Sequence, residues 1–350
     1  MVIEMYSNSI IKEDLDLIIK QDIDFSLMKE KVVLITGATG MLASYFMYTL
    51  MYLNDKFNYN IKIYTLVRNA DKLKKMIGIN RNDIFIIEQD VCEKIAFNEN
   101  LDYIIHMASS ANPKTITTDP LSIIKANVIG TLNVLELAKE KNAKVVFTST
   151  REVYGKVDKS IINEDDAGIL DCTELRSCYP ESKRMAENLI ISYSYQYEIR
   201  YQIARIAHSY GPGMIIKNDG RIMSDLINDV VNRNNIILKS NGEAKRAFCY
   251  LLDATTALFM ITLSKKDNQI FNVANETEEI SIKDLAYSMV EWFKEFNINV
   301  VFELQENNNQ YVKFERVRLN TNKLEQLGWK PVVSLKDGIS KTVKYFQKII

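Results

Sequence analysis

The chain has 350 residues, 47% hydrophobic and 25% charged, with 44 Lys and Arg against 45 Asp and Glu, for a net charge of −1. That is globular composition, sized for one large domain or two intimately joined ones. It lacks the basic surplus of a nucleic-acid binder, so no nucleic-acid partner is expected.

The four cysteines, Cys92, Cys172, Cys178 and Cys249, form no Cys-x-x-Cys pair, and the histidines are His106 and His208. No metal centre is expected, and the thiols read as reduced thiols of a cytoplasmic protein. The N-terminus, "MVIEMYSNSIIKEDLDLIIK", is acidic and patterned, unlike a signal peptide, and no apolar run reads as long enough to cross a bilayer. A cytoplasmic location without a membrane partner is the expectation.

Residues 1–30 predict a helical extension leading into a first strand, "KVVLITG" (31–37), whose short apolar run suits a buried parallel strand. A helix over 41–53 follows, then strands "IKIYTLV" (61–67), "DIFIIEQ" (83–89) and "LDYIIHM" (101–107). A long helix over 120–140 precedes "KVVFTST" (144–150), and "YQIARIA" (201–207) is a further strand. The alternation predicts an α/β fold: a doubly wound, Rossmann-type parallel sheet with helices on both faces. After "YGPGM" (210–214) the segments become shorter and mixed. Helices are predicted at 221–233, 281–294 and 335–348, and strands near 235–239, 246–251, 269–275 and 299–304, which reads as a smaller C-terminal α/β domain.

Directly after the first strand, "TGATGMLASYF" spaces Gly37, Gly40 and Ala43 as Gly-x-x-Gly-x-x-Ala. A strand-to-helix turn without large side chains lets a pyrophosphate approach the backbone N–H groups at a helix N-terminus. With both elements in place, Gly37, Thr39, Gly40 and Met41 are candidate dinucleotide contacts. The second strand ends in Val67 and Arg68, where an NAD site usually carries an acid for the ribose hydroxyls. Arg68 suits the 2′-phosphate of NADP, so the cofactor reads as NAD or NADP, with Arg68 tipping the choice to NADP. Asp90 and Val91, after the third strand, are expected near the adenine.

The fifth strand ends "FTSTREVYG", and "RSCYPESKRMAE" places Tyr179 one helical turn ahead of Lys183. With the glycine turn, these segments make the chain resemble the extended short-chain dehydrogenase/reductases, over nearly everything after residue 30. That resemblance implies a redox set of Thr150, Tyr179 and Lys183. The Lys183 ammonium favours the phenolate, Tyr179 acts as base on a sugar hydroxyl, and Thr150 bonds the same oxygen. Asn127, in "ANVIGT", matches a structural helix asparagine of the family.

In detail the chain is most similar to the nucleotide-sugar epimerase/dehydratase branch, above all to UDP-glucuronate decarboxylases. The similar segments are "ANPKTITTDPLSIIKANVIGTLNVLELAK", "NDGRIMSDLI", "KRAFCYLLD" and "LGWKPVVSLKDGI". The resemblance implies that Arg246 contacts a diphosphate, Arg221 lies near the nucleotide, and Glu152 assists proton movement. Arg316 orients the sugar carboxylate or contacts phosphate, and His208 stands where an asparagine usually helps hold the substrate. Arg151 stands in place of a serine and Gly213 in place of an arginine. The domains implied are a helical extension (1–30), a dinucleotide-binding domain (31–210) to which later segments return, and a mainly nucleotide-sugar-binding domain (211–350).

The expected enzyme works by hydride transfer at C4 of a nucleotide sugar, and decarboxylation of UDP-glucuronate for surface or capsular polysaccharide precursors is the leading reading. An NADPH-dependent 4-ketoreductase and a 4-epimerase are the alternatives, and a non-catalytic dinucleotide sensor is the remote one. A homodimer through the helices bearing Asn127 and Tyr179 is implied by the family.

Overall fold

The structure, a computed structural model, describes residues 5–78, 81–303 and 317–348. Seven strands form one parallel sheet: β1 (Val32–Thr36), β2 (Lys62–Val67), β3 (Ile84–Glu88), β4 (Tyr103–His106), β5 (Lys144–Thr150), β6 (Tyr201–Ile206) and β7 (Gln269–Val273). Their order is β7-β6-β5-β4-β1-β2-β3. The chain builds outwards from β1 to β3, then crosses back to place β4 on the other side of β1. Ligand crevices of parallel sheets open at this reversal, beyond the carboxyl ends of the strands. Val33, Leu34 and Ile35 of β1 are fully buried because both sheet faces are covered.

The covering helices are α1 (Ser9–Ile18), α2 (Met41–Phe57), α3 (Ala70–Ile77), α4 (Pro113–Thr118), α5 (Pro120–Lys141), α6 (Cys178–Tyr197), α7 (Ile222–Val231), α8 (Leu251–Leu263), α9 (Ile282–Trp292) and α10 (Leu335–Gln347). Local chemistry sets their starts. Asn112 caps α4 by accepting from Lys114 N at 2.8 Å, and Asp119 caps α5 by accepting from Ser122 N at 3.3 Å. Each cap is followed by a proline, whose missing N–H costs nothing in a first turn. The sequence predicts no helix over 251–263 and ends a strand at 251, yet α8 is one of the most buried helices. All its residues but Leu263 are buried, so it has no polar face and no 3.6-residue rhythm to betray it.

Two expectations change. Pro120–Lys141 is long and apolar enough to cross a membrane, with a mean hydropathy of 1.4, contrary to the reading that no run qualifies. Here it lies beside the sheet and α6, with its second apolar side exposed. The N-terminal segment is also more than an appendage. Ile10, Ile11, Leu15 and Ile18 of α1 join the main core, and Asp14 is fully buried. Asp14 accepts from Tyr45 of α2 at 2.9 Å, from Tyr250 at 2.7 Å and from Lys341 of α10 at 2.6 Å.

A buried carboxylate that joins three elements is costly to remove, because Tyr45, Tyr250 and Lys341 would all lose their buried acceptor. Asp14→Ala should lower unfolding free energy by about 3 kcal/mol in urea denaturation. A loss below about 1 kcal/mol, the scale of a surface pair, would show that the clamp is incidental.

Candidate active site

The end of β5 and one face of α6 meet residue by residue. Tyr179, Lys183 and Glu187 recur at four-residue spacing and so share a helix face. Lys183 Nζ donates to the Thr148 carbonyl at 2.7 Å, Ser149 Oγ donates to Glu187 Oε1 at 2.5 Å, and the Thr150 hydroxyl, which accepts from Glu152 N at 3.2 Å, stands near enough to the Tyr179 phenol to lower it. Pro180 sits in the first turn of α6, where no amide hydrogen is needed. Asn127 of α5 fastens that turn from behind: its Nδ2 donates to Ser182 Oγ at 2.8 Å, and Ser182 Oγ donates to the Cys178 carbonyl at 2.6 Å.

Burial dominates the electrostatics. Tyr179 is 7% exposed, and its phenol is pushed above its ordinary range by burial and by Glu152, while Thr150, Arg221 and Arg176 pull it down. Burial lowers Lys183 to about 7, opposed by Glu187. The sequence reading had the Lys183 ammonium lowering the tyrosine directly. Desolvation instead dominates both groups and works against the charged form of each.

Behind them, His106 is driven down to about 3 by burial and by Lys183. Its tautomer follows from its partners. Thr36 Oγ1 accepts from Met107 N and Ala108 N, both at 3.1 Å, so its proton must go to His106 Nδ1 at 2.8 Å. Nε2–H then donates to Thr131 Oγ1 at 3.0 Å, which donates to the Asn127 carbonyl at 2.5 Å. A neutral ring completes this wall.

The glycine turn has the shape a pyrophosphate requires. Gly37 holds φ +72°, and a Cβ there would lie 2.8 Å from Ala108 Cα, so both backbone conformation and space demand glycine. Gly40 starts α2, and no side chain among the described residues caps that helix, which leaves its first amides for a ligand. Thr39 and Met41 flank it, half-buried. Asp90 accepts from Cys92 N at 2.9 Å, and that bond, a Cys92 side-chain bond and the charge of Arg68 hold its carboxyl down. Arg68 is exposed at the end of β2. Val91 is buried, its carbonyl accepting from Asn133 Nδ2 at 2.9 Å. These residues fit a dinucleotide.

On the opposite side, Glu152 accepts from Arg176 Nη2 at 3.1 Å. Arg151 and His208, both departures from the pattern the sequence resembles, meet: Arg151 Nη1 lies 3.3 Å from His208 Nε2, and its Nη2 lies 3.5 Å from the Val317 carbonyl. Guanidinium only donates, so His208 Nε2 is the acceptor and that nitrogen carries no proton. His208 holds φ +48°, left-handed backbone at the exit of β6. Gly213, at φ +84°, faces Met5 of the N-terminal segment, whose Cε would lie 2.9 Å from a Cβ there.

Arg221 is gripped by the fully buried Asp219, which also accepts from Asn112 Nδ2 at 2.9 Å and Ser224 Oγ at 2.8 Å. Neither Asp219 nor Asn112 was assigned a role from the sequence, although "NDGR" contains the first and "ANPK" the second. Arg246 donates to the Lys245 carbonyl at 2.7 Å, on the short strand Lys245–Ala247. Thr150, Glu152 and Arg221 thus act on Tyr179, and Lys183 stands one helical turn from it on the same face of α6. Arg316 lies outside the described residues.

A family model described as "NAD dependent epimerase/dehydratase family" matches residues 33–274. The chain is 34% identical to Arabidopsis thaliana UDP-glucuronic acid decarboxylase 6 over 307 residues, covering 88% of this chain and 86% of that protein. It is 32% identical to Xenopus tropicalis UDP-glucuronic acid decarboxylase 1 over 323 residues, covering 91% and 72%. Among solved structures, the UDP-N-acetylglucosamine 4-epimerase of Methanobrevibacter ruminantium superposes with TM-score 0.78 at 22% identity, covering 92% of this chain and 100% of that one. A Bordetella bronchiseptica enzyme in complex with NAD+ and UDP superposes with TM-score 0.73 at 21% identity, covering 92% and 94%. At these identities the structural likeness is one of fold.

The lowered proton affinity of Lys183 has a measurable consequence. Between about pH 7 and about pH 10 the unfolded chain keeps a proton that the folded chain has shed, so stability from this group rises with pH. It is fully present above the unfolded value and is lost as pH falls through about 7. Cofactor-free Lys183→Met should therefore exceed the wild type in stability most below neutrality, and the gap should shrink toward alkaline pH in denaturation series. A gap independent of pH would contradict a titrating Lys183.

Proposed function

The chain belongs to the NAD dependent epimerase/dehydratase family, and we propose that within it the protein decarboxylates a UDP-linked hexuronic acid, with UDP-glucuronate as the first candidate. It is an NAD-dependent nucleotide-sugar-modifying enzyme, and the decarboxylase reading draws on the curated relatives that match over most of its length. The observation that carries it is the convergence of Thr150, Tyr179 and Lys183 at the carboxyl edge of the sheet that also carries the glycine turn.

Gly37, Thr39, Gly40 and Met41 would hold the pyrophosphate, with Asp90 and Val91 at the adenine. Bound NAD would supply the acceptor that takes and returns the sugar's hydrogen as hydride. Tyr179 removes the proton of the C4 hydroxyl, and Thr150 holds that oxygen during the transfer. Lys183, when charged, favours the phenolate and bonds the nicotinamide ribose. A sugar oxidised at C4 is a β-keto acid, which loses carbon dioxide readily. Glu152 assists proton movement on the ring. Arg221 and Arg246 serve the nucleotide diphosphate, His208 the sugar, and Arg316 the carboxylate or a phosphate. Residues mainly after 210 would form the nucleotide-sugar-binding domain, beside a dinucleotide-binding domain at 31–210 and the extension at 1–30.

If the reading is right, UDP-glucuronate gives UDP-pentose and carbon dioxide by mass spectrometry, and Tyr179→Phe loses about 100-fold or more in turnover while still binding dinucleotide. A dinucleotide sensor would be indifferent to that change.

Val67 and Arg68 favour a second reading, an NADPH-dependent 4-ketoreductase. Arg68→Ala should then weaken NADP binding about tenfold and leave NAD nearly untouched in parallel titrations. Equal effects on both would remove NADP from consideration.

The apolar face of α5, with Leu121, Ile124, Ile129 and Leu132 exposed, runs beside exposed Ile191 and Tyr195 of α6. A second copy of the chain would cover it, giving a homodimer. Light scattering should report a dimer for the wild type and a monomer for Ile129→Asp/Leu132→Asp. A wild-type monomer would refute this assembly.

A further inference from the structure

The carboxylate one turn beyond Lys183 has no part in the chemistry above, yet it is built into the site. Glu187 is 5% exposed on the face of α6 that carries Tyr179 and Lys183. Its Oε1 accepts from Ser149 Oγ at 2.5 Å and Arg205 Nε at 3.0 Å, and its Oε2 accepts from Arg205 Nη2 at 2.6 Å. Arg205 of β6 is held in turn: Nη1 donates to the Glu164 carbonyl at 2.8 Å, and the guanidinium lies 4.7 Å from the Tyr154 ring. The anchors come from the two strands that carry the site, and Ser149 lies between Thr148 and Thr150. An anion fixed so firmly keeps its rotamer and its distance from Lys183.

We propose that Glu187 is a positioning residue: anchored by Ser149 and Arg205, it keeps Lys183 in its charged form. Lys183 needs this help. It is 3% exposed, its ammonium rests on the Thr148 carbonyl, and the Phe147 ring lies 4.3 Å away. The titratable and charged groups around it are Tyr179 and Glu187 on its own helix, His106 on β4 and Arg205 on β6. Burial favours a neutral His106 and a protonated Tyr179, and Glu187 is the neighbour whose charge opposes burial at Lys183. The proposal rests on the reading of Lys183 as the group that serves cofactor and phenol, but its test needs no substrate.

That test is an NMR titration of Lys183 in the full chain, with labelled lysine side chains and the resonance assigned by its loss in Lys183→Met. Glu187→Gln should lower the proton affinity of Lys183 about tenfold or more. Glu187→Gln/Arg205→Met, which removes both buried charges and leaves no orphan, should keep the fold and shift Lys183 the same way. A folded double variant in which Lys183 titrates as in the wild type overturns the proposal. That outcome would leave decarboxylation untouched, and absence of turnover would leave this titration untouched.

Discussion

Everything in the site depends on burying a phenol and an amine side by side against the end of one strand. Desolvation disfavours the charged form of each, raising Tyr179 and lowering Lys183 to about 7. Nearby charge works against burial: Arg221 and Arg176 lower the phenol, and Glu187 raises the amine. Glu152 pushes the phenol further up, and Arg221 and Glu187 are themselves fixed by buried partners, Asp219 and Arg205.

The rest of the fold serves to hold that contact. Asn127 ties α5 to the first turn of α6, and the neutral His106 ring is wedged between Thr36 and Thr131 behind it. Further out, Asp14 joins α1 to α2 and α10, and Met5 lies against Gly213. The N-terminal segment thus reaches the turn where the resembled pattern has an arginine. Arg151 and His208 form a second local novelty, a pair in which one departure meets the other.

Much of this was legible in the chain. Parallel strands such as Lys144–Thr150 are short apolar runs punctuated by glycine or polar residues, and the structure keeps the bounds read for that one. Tyr179 and Lys183 declare themselves because a helix repeats on a four-residue scale. α8 did not, since a helix buried on all sides has no face to read. Asp219, Asn112, Glu187 and Arg205 were equally silent: their meaning lies in partners between 18 and 107 residues away. The sign of the Tyr179 and Lys183 shifts was hidden for the same reason, because burial is a property of the assembled fold.

The most direct measurement follows the hydrogen at C4. With UDP-glucuronate carrying deuterium at that carbon, and no reductant added, an enzyme that removes and returns the same hydrogen should give UDP-pentose with the deuterium retained. Product with ordinary hydrogen at C4, or turnover that demands added NADPH, would contradict an internal transfer run by Thr150, Tyr179 and Lys183.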